Sequence, residues 1–311
     1  MPTLGIDLGG TNARAAVVDE QGRILASAKV ALTERSPMAV VEVIAQAAAS
    51  AMAASGGAQV RGCGVGAAGQ IHRDSGVIAV APNLGWRNVP LGALLAERLG
   101  HSVRVVNDLA AAAWGELHAG AGRGATDVYV VFVGSGVGSC VIANNQLVRG
   151  AGGVAGELGH TKVIPNGRRC GCGELGCLEA YAGGHNLIAQ AREVLLAGRS
   201  PGLAELTEGD PSRITPLTVE RAAEAGDPAA RELHERAGQM LGMAVANMVT
   251  VLNPARLIIG GGVLLNCPGI RRYVVEGVQA LSSNTSREGL LIAEAELGDD
   301  SGLIGAALLG L

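Results

Sequence analysis

The chain has 311 residues, about twice the ~150 of a typical domain, so two lobes are the first expectation. Hydrophobic residues make up 48% and charged residues 17%, which excludes a disordered chain, and 48 glycines without a three-residue period exclude collagen. A net charge of −4 and 2% aromatics argue against a surface that attracts phosphate backbones or stacks single-stranded bases.

The opening MPTLGIDLGG lacks a basic run and reaches Asp7 at once, so neither a signal peptide nor an anchor is expected. The longest apolar stretches, such as 302–311, fall short of the ~20 residues of a spanning helix, and a soluble cytoplasmic protein follows. LGIDLGG, ARAAVVD and RILASAKV read as three strands, the last two joined at Glu20-Gln21-Gly22. An alanine-rich helix is predicted over 38–54, stopped by Gly56-Gly57, then a strand over 60–66. A second helix over 90–99, with Pro90 in its first turn, precedes the strand 103–106. The order is β-β-β-α-β-α-β. After AGAGRGA the pattern restarts with the strands DVYVVFV and GSCVIA and a turn at Asn144-Asn145. The longest predicted helix, 228–252, lies between Asp227-Pro228 and Asn253-Pro254 and leads into the buried strand 256–260. Two similarly built α/β lobes are expected, with a hinge near residue 118.

Asp7-Leu8-Gly9-Gly10-Thr11-Asn12 lies where two predicted strands meet, a turn whose amides and Thr11 hydroxyl can cradle a phosphate. Taken alone it is equally a plain hairpin turn. The arrangement recurs in VGSGVGS, where Gly134, Ser135, Gly136 and Gly138 follow a strand, and two such turns imply a nucleotide held between the lobes. A third cluster, Gly260-Gly261-Gly262, ends the strand RLII, where an adenosine could approach the backbone closely. Neither a GxxxxGK[ST] P-loop nor a GxGxxG fingerprint occurs.

Cys170, Cys172 and Cys177 form CxCxxxxC with small glycines between, ten residues beyond His160, while Cys63, Cys140 and Cys267 are scattered among apolar neighbours. That is not a disulfide framework. Three thiolates and an imidazole at this spacing suit a closed, structural Zn2+ site. Asp108 follows Asn107 at a strand end before an alanine-rich helix, and by itself reads as a helix cap.

In order and spacing, DLGGTN, NDLAAAAWGE, VGSGVGS, GELGH, CGCGELGCLEAY and LIIGGGV resemble the ROK sugar kinases, and among them the bacterial glucokinases, of the actin-like ATPase superfamily. The resemblance covers essentially the whole chain. It implies an α/β fold of two actin-like (ribonuclease H-like) lobes with a ligand cleft between them. Residues 1–117 plus a C-terminal helix 300–311 would form the small lobe and 118–299 the large one.

It also implies ATP-dependent phosphorylation of the glucose 6-hydroxyl with Mg2+, and Asp108 as catalytic base. Asn83, Asn107, Asp108, Glu157, His160 and Glu179 would contact the sugar. Gly9, Gly10, Thr11, Asn12, Gly134, Ser135, Gly136, Gly138 and Gly260 to Gly262 would contact the nucleotide, and His160, Cys170, Cys172 and Cys177 would bind zinc. A homodimer is implied as well. Ser139 and Cys140 stand where the family continues with glycines, and Gly69-Gln70 where relatives often have Pro-Gly. Trp86 and Trp114 are assigned to packing. The same residues resemble those of kinases for fructose, allose or N-acetylmannosamine. ROK repressors, sugar-responsive DNA binders, carry a helix-turn-helix domain before the first phosphate motif, which here begins at Asp7, so a repressor or a non-catalytic sensor is the lesser expectation.

Overall fold

The structure, a computed structural model, describes residues 1–72 and 75–310. The chain opens with β1 (Thr3–Leu8), β2 (Asn12–Val18) and β3 (Ile24–Ala31), then α1 (Pro37–Ala54) and β4 (Cys63–Ala67). Next come β5 (Gln70–Ile71), β6 (Ile78–Ala81), β7 (Trp86–Val89), α2 (Leu91–Leu99), β8 (Val103–Asn107) and α3 (Asp108–Ala119). β9 (Val128–Val133), β10 (Val137–Ala143) and β11 (Gln146–Leu147) begin the second half. The helices α4 (Glu179–Ala182), α5 (Gly184–Leu196), α6 (Pro201–Thr207), α7 (Pro216–Glu224) and α8 (Pro228–Leu252) follow. The chain closes with β12 (Arg256–Gly260), α9 (Gly262–Asn266), α10 (Pro268–Leu281), α11 (Asn284–Arg287), β13 (Leu291–Glu294) and α12 (Ser301–Leu309).

Contacts divide the chain into two units, Met1–Thr126 with Cys140–Ala155 and Ala295–Leu311, and Asp127–Ser139 with Gly156–Glu294. This division differs from the expected breaks at 117/118 and 299/300. Leu147 packs against Val106, Ala111 and Leu309, and the Asn145 amide donates to the Thr126 carbonyl at 2.9 Å, which draws 140–155 into the first unit. Leu311, the last residue of the expected helix, lies outside the described residues.

The first unit has a five-stranded sheet in the order β3-β2-β1-β4-β8, in which β3, β2 and β1 are antiparallel neighbours and β1, β4 and β8 run parallel. Leu4, Ile6 and Leu8 of β1 alternate onto the face covered by α1 and α2, where they meet Val40, Ile44, Leu91 and Leu95. α12 covers the other face. There Gly5 and Gly64 stand where any Cβ would run into the α12 backbone, which is why this helix can lie so close.

The other five-stranded sheet orders β11-β10-β9-β12-β13, with β9, β12 and β13 parallel and the hairpin β10–β11 turned at Asn144 and Asn145, both at positive φ. The same plan is thus used twice, as the restarting pattern predicts. The sequence reading missed the small sheet β5-β6-β7, whose strands of two to four residues are too short to show an alternation. Pro90 is the N-cap of α2 rather than its first turn, and the strand expected at 60–66 begins at Cys63.

Among the described residues α1, not 302–311, is the helix long and apolar enough to cross a membrane, with a mean hydropathy of 1.4 over 18 residues. Its apolar side, including Val40, Val41, Ile44 and Ala48, lies in the sheet's core.

Glu116 of α3 is fully buried, and its carboxylate accepts the backbone N–H groups of Ala121 (3.0 Å), Glu296 (3.1 Å) and Leu297 (2.9 Å). It ties the end of α3 to the segment that leads into α12. Glu116→Ala leaves the Glu296 and Leu297 amides without that acceptor and is expected to cost about 2–6 kcal/mol, at roughly 1–3 for each stranded group, read as a lower Tm in thermal melts.

Candidate active site and metal centre

The strand ends place the chemistry of the first unit. In the parallel register Leu8 pairs with Ala67 and Ala67 with Asn107, so the carboxyl ends of β1, β4 and β8 finish level. Open α/β sheets bind ligands at this edge. Asp7 lies at the end of β1, followed by a turn closed by the Gly9 amide on the Asn12 carbonyl at 3.0 Å, and the Asn12 side chain donates to the Thr11 hydroxyl at 2.9 Å. A Cβ on Gly10 would stand 3.4 Å from that of Asn83, so Asn83 lies against the turn.

At the end of β8 the helix cap is Asn107 and not Asp108. The Asn107 Oδ1 accepts from the amides of Leu109 (2.9 Å) and Ala110 (3.2 Å), while its Nδ2 donates to the Gly69 carbonyl at 3.1 Å. Asp108 is the first helical residue, with Oδ1 accepting the Leu109 amide at 2.9 Å. Burial raises the Asp108 carboxyl above its ordinary value, against the opposing pull of the Leu109 and Asp108 amides and the Asn107 side chain. Asp7 is also raised, by burial first and then by the charge of Asp108, with Arg14 pulling the other way. Asp7, the first letter of DLGGTN, is thus coupled by charge to Asp108, although the predicted set of contact residues leaves it out.

In the second unit β9 and β12 run parallel, with Phe132 opposite Gly260, so the turn after β9 and the Gly260–Gly262 cluster share one sheet edge. Gly261, at φ +84°, passes so close to the Val133 backbone that no side chain fits. Within the turn the Gly134 amide donates to Gly136 O at 3.0 Å, and the first α5 amides, Gly184 and His185, donate to the carbonyls of Gly134 and Ser135, each at 2.9 Å. A Cβ on Gly134 would meet nothing within 4 Å, whereas one on Gly136 would collide with the Glu179 carboxylate. Glu179 Oε2 accepts the Val137 amide at 2.9 Å, and its Oε1 lies 3.7 Å from the Cys170 sulfur. One carboxylate therefore links the glycine turn to the cysteine cluster.

Ser139, a departure from the family pattern, hydrogen-bonds through its hydroxyl to the Gly156 carbonyl at 2.7 Å, next to Glu157. Burial pushes the Cys140 thiol up to about 12, so it stays unreactive. Trp86 is buried and donates to the Arg35 carbonyl at 2.6 Å, and Trp114 packs against the Val106 cluster, as the packing assignment expects.

The ligand atoms of His160, Cys170, Cys172 and Cys177 all lie within 4.8 Å of one another. Cys170 Sγ is 3.8 Å from His160 Nδ1, and Cys172 Sγ is 3.8 Å from Cys177 Sγ. A tetrahedron with Zn–S bonds of ~2.3 Å has edges of about 3.8 Å, so the donor set fits zinc in spacing as well as chemistry. His160 Nδ1 faces the cluster, and its Nε2 lies 3.8 Å from Glu157 Oε2.

The family model described as the ROK family matches residues 3–311. The chain belongs to the ROK family. It is 37% identical to a glucokinase of Streptomyces coelicolor over 317 residues, 98% of this chain and 96% of that one. Among solved structures, a ROK family glucokinase from Streptomyces griseus in complex with glucose and AMPPNP aligns with a TM-score of 0.80 at 37% identity, covering 100% of this chain and 99% of that one. A ROK hexokinase from Thermus thermophilus aligns with a TM-score of 0.84 at 32% identity, covering 100% and 98%. The fold is the actin-like α/β architecture of these ROK proteins. The sequence-predicted residues fall into two local sets, Gly9 to Asn12 with Asn83, Asn107 and Asp108 in the first unit, and both glycine clusters with Glu157, His160, Glu179 and the cysteines in the second.

Proposed function

We propose that this chain is an ATP-dependent glucokinase that transfers the γ-phosphoryl group of ATP to the glucose 6-hydroxyl. The observation that carries the reading is Asp108, a buried carboxylate with a raised pKa at the strand edge where β1 delivers a glycine turn. A general base poised above the ordinary carboxylate range takes a hydroxyl proton more readily. The Leu109 amide fixes Oδ1, and Oδ2 is the oxygen that receives the proton. Phosphoryl transfer otherwise needs positioning and charge neutralisation, which fall to the two glycine turns and to Mg2+ brought in with ATP. Gly9, Gly10, Thr11 and Asn12, with Gly134, Ser135, Gly136 and Gly138, would receive the phosphates, and Gly260, Gly261 and Gly262 the adenosine.

Asn83, Glu157, His160 and Glu179 would hold the sugar hydroxyls. Asn107 offers them the second Nδ2 hydrogen, since the first goes to Gly69. Zinc, held by His160, Cys170, Cys172 and Cys177, would supply structural closure and no open coordination position. Its part is to fix Glu179 and the His160 ring.

Gly134→Val adds bulk on the open side of the turn without reaching Glu179, and is expected to raise the KM for ATP about tenfold or more with little change in the KM for sugar. Initial rates with each substrate varied in turn check this. The overall reading is tested by ADP release over a panel of glucose, fructose, allose, mannose and N-acetylmannosamine. Glucose is expected to give the highest kcat/KM. Another hexose ahead by tenfold would reassign the substrate, and no ADP with any sugar would overturn the kinase reading.

A further inference from the structure

Backbone amides serve two sulfurs of the cysteine cluster, and a charged side chain serves the third. The backbone N–H of Cys172 serves Cys170, and that of Glu174 serves Cys172. Cys177, fully buried, instead takes the ammonium of Lys162, with Nζ 3.0 Å from its sulfur. Lys162 Nζ also donates to the His160 carbonyl at 3.2 Å and pairs with the Glu174 carboxylate. An ammonium has three hydrogens, and here they have three acceptors, two of them on residues of the cluster. The placement is local, because Lys162 and Cys177 face each other across an antiparallel bridge.

Three thiolates and a neutral imidazole around a divalent cation leave one net negative charge. A fixed cation at a sulfur offsets that charge, and groups that touch metal ligands without touching the metal set both ligand orientation and metal affinity. The Lys162–Glu174 pair alone does not explain the position, since half-exposed ion pairs add little to stability.

We propose that Lys162 is a positioning residue of the metal centre, whose ammonium balances the excess charge at Cys177 and slows escape of zinc. The inference rests on the reading of His160, Cys170, Cys172 and Cys177 as zinc ligands. The test follows zinc transfer from the full-length, zinc-loaded protein to an excess of chromophoric chelator, for the parent and for Lys162→Met, which keeps the stem and removes the charge and its donors.

Release is expected to be about 10–100-fold faster in the variant. In cobalt-substituted protein the sulfur-to-cobalt charge-transfer band is expected to move to lower energy, because a sulfur without its donor gives up an electron more easily. Equal release rates overturn the inference. Faster release with an unmoved band overturns it too, by making Lys162 a brace of the loop rather than a partner of the sulfur. Parent protein that takes up neither zinc nor cobalt defeats the metal reading itself, and this inference with it, a result distinct from both.

Discussion

Asp108→Asn is expected to lower kcat by ~10²–10⁴, the usual cost of removing a general base, while glucose binding changes far less. The structure separates this effect from a stability effect. The helix cap belongs to Asn107, and an asparagine at 108 can still accept the Leu109 amide through its Oδ1. Burial raises the carboxyl of Asp108 in the folded chain, so the native state holds that proton to higher pH than the unfolded state does. The ionised group is therefore a stability cost that appears as pH rises through the folded pKa.

Removing that charge should leave Tm unchanged or slightly higher, and should relieve Asp7, on which the Asp108 charge presses. In the parent, kcat should fall on the acid side as Asp108 takes up its proton, with an inflection above the ~3.9 of a free aspartate. Melting curves and a pH–rate profile check both signs. A variant with near-parent kcat would leave Asp108 as a first-turn carboxylate with no catalytic part.

Cys172→Ser is expected to reduce stability and sugar affinity together. Cys172 is the exposed cysteine of the cluster, so a serine there would cost little if the thiol did nothing. Structural zinc contributes ~10–16 kcal/mol in small peptides, or about 3 per ligand, and at roughly 2–4 °C per kcal/mol the Tm should drop by about 6–12 °C. Because Glu179 reaches from Cys170 to the Val137 amide, loosening the cluster should also raise the KM for glucose by about tenfold or more. Metal analysis of the parent, a thermal melt and glucose kinetics check the three parts. One zinc per chain is expected, and freshly purified protein without zinc would remove the premise.

Features that depend on neighbouring residues could be read from the sequence. α8 carries both of its boundaries in Asp227-Pro228 and Asn253-Pro254, and the structure begins and ends it there. The glycine turns and the CxCxxxxC spacing are equally local, and each falls at a strand end or in a ligand cluster as expected.

What escaped depends on distant partners. Asn107 and Asp108 are both good capping residues, and only the backbone angles at the end of β8 make Asn107 the cap. Residues 140–155 join the first unit through the packing of Leu147, which no periodicity announces. Lys162, in a loop, reads as a solvated charge until the bridge to Cys177 sets its ammonium on a sulfur.

The central claim is tested most directly by product analysis of the purified protein with glucose, ATP and Mg2+. Glucose 6-phosphate and ADP should appear in a one-to-one ratio, the sugar product identified by 31P NMR and by its oxidation by glucose-6-phosphate dehydrogenase. Phosphate on another hydroxyl, ADP with inorganic phosphate alone, or no turnover would contradict it.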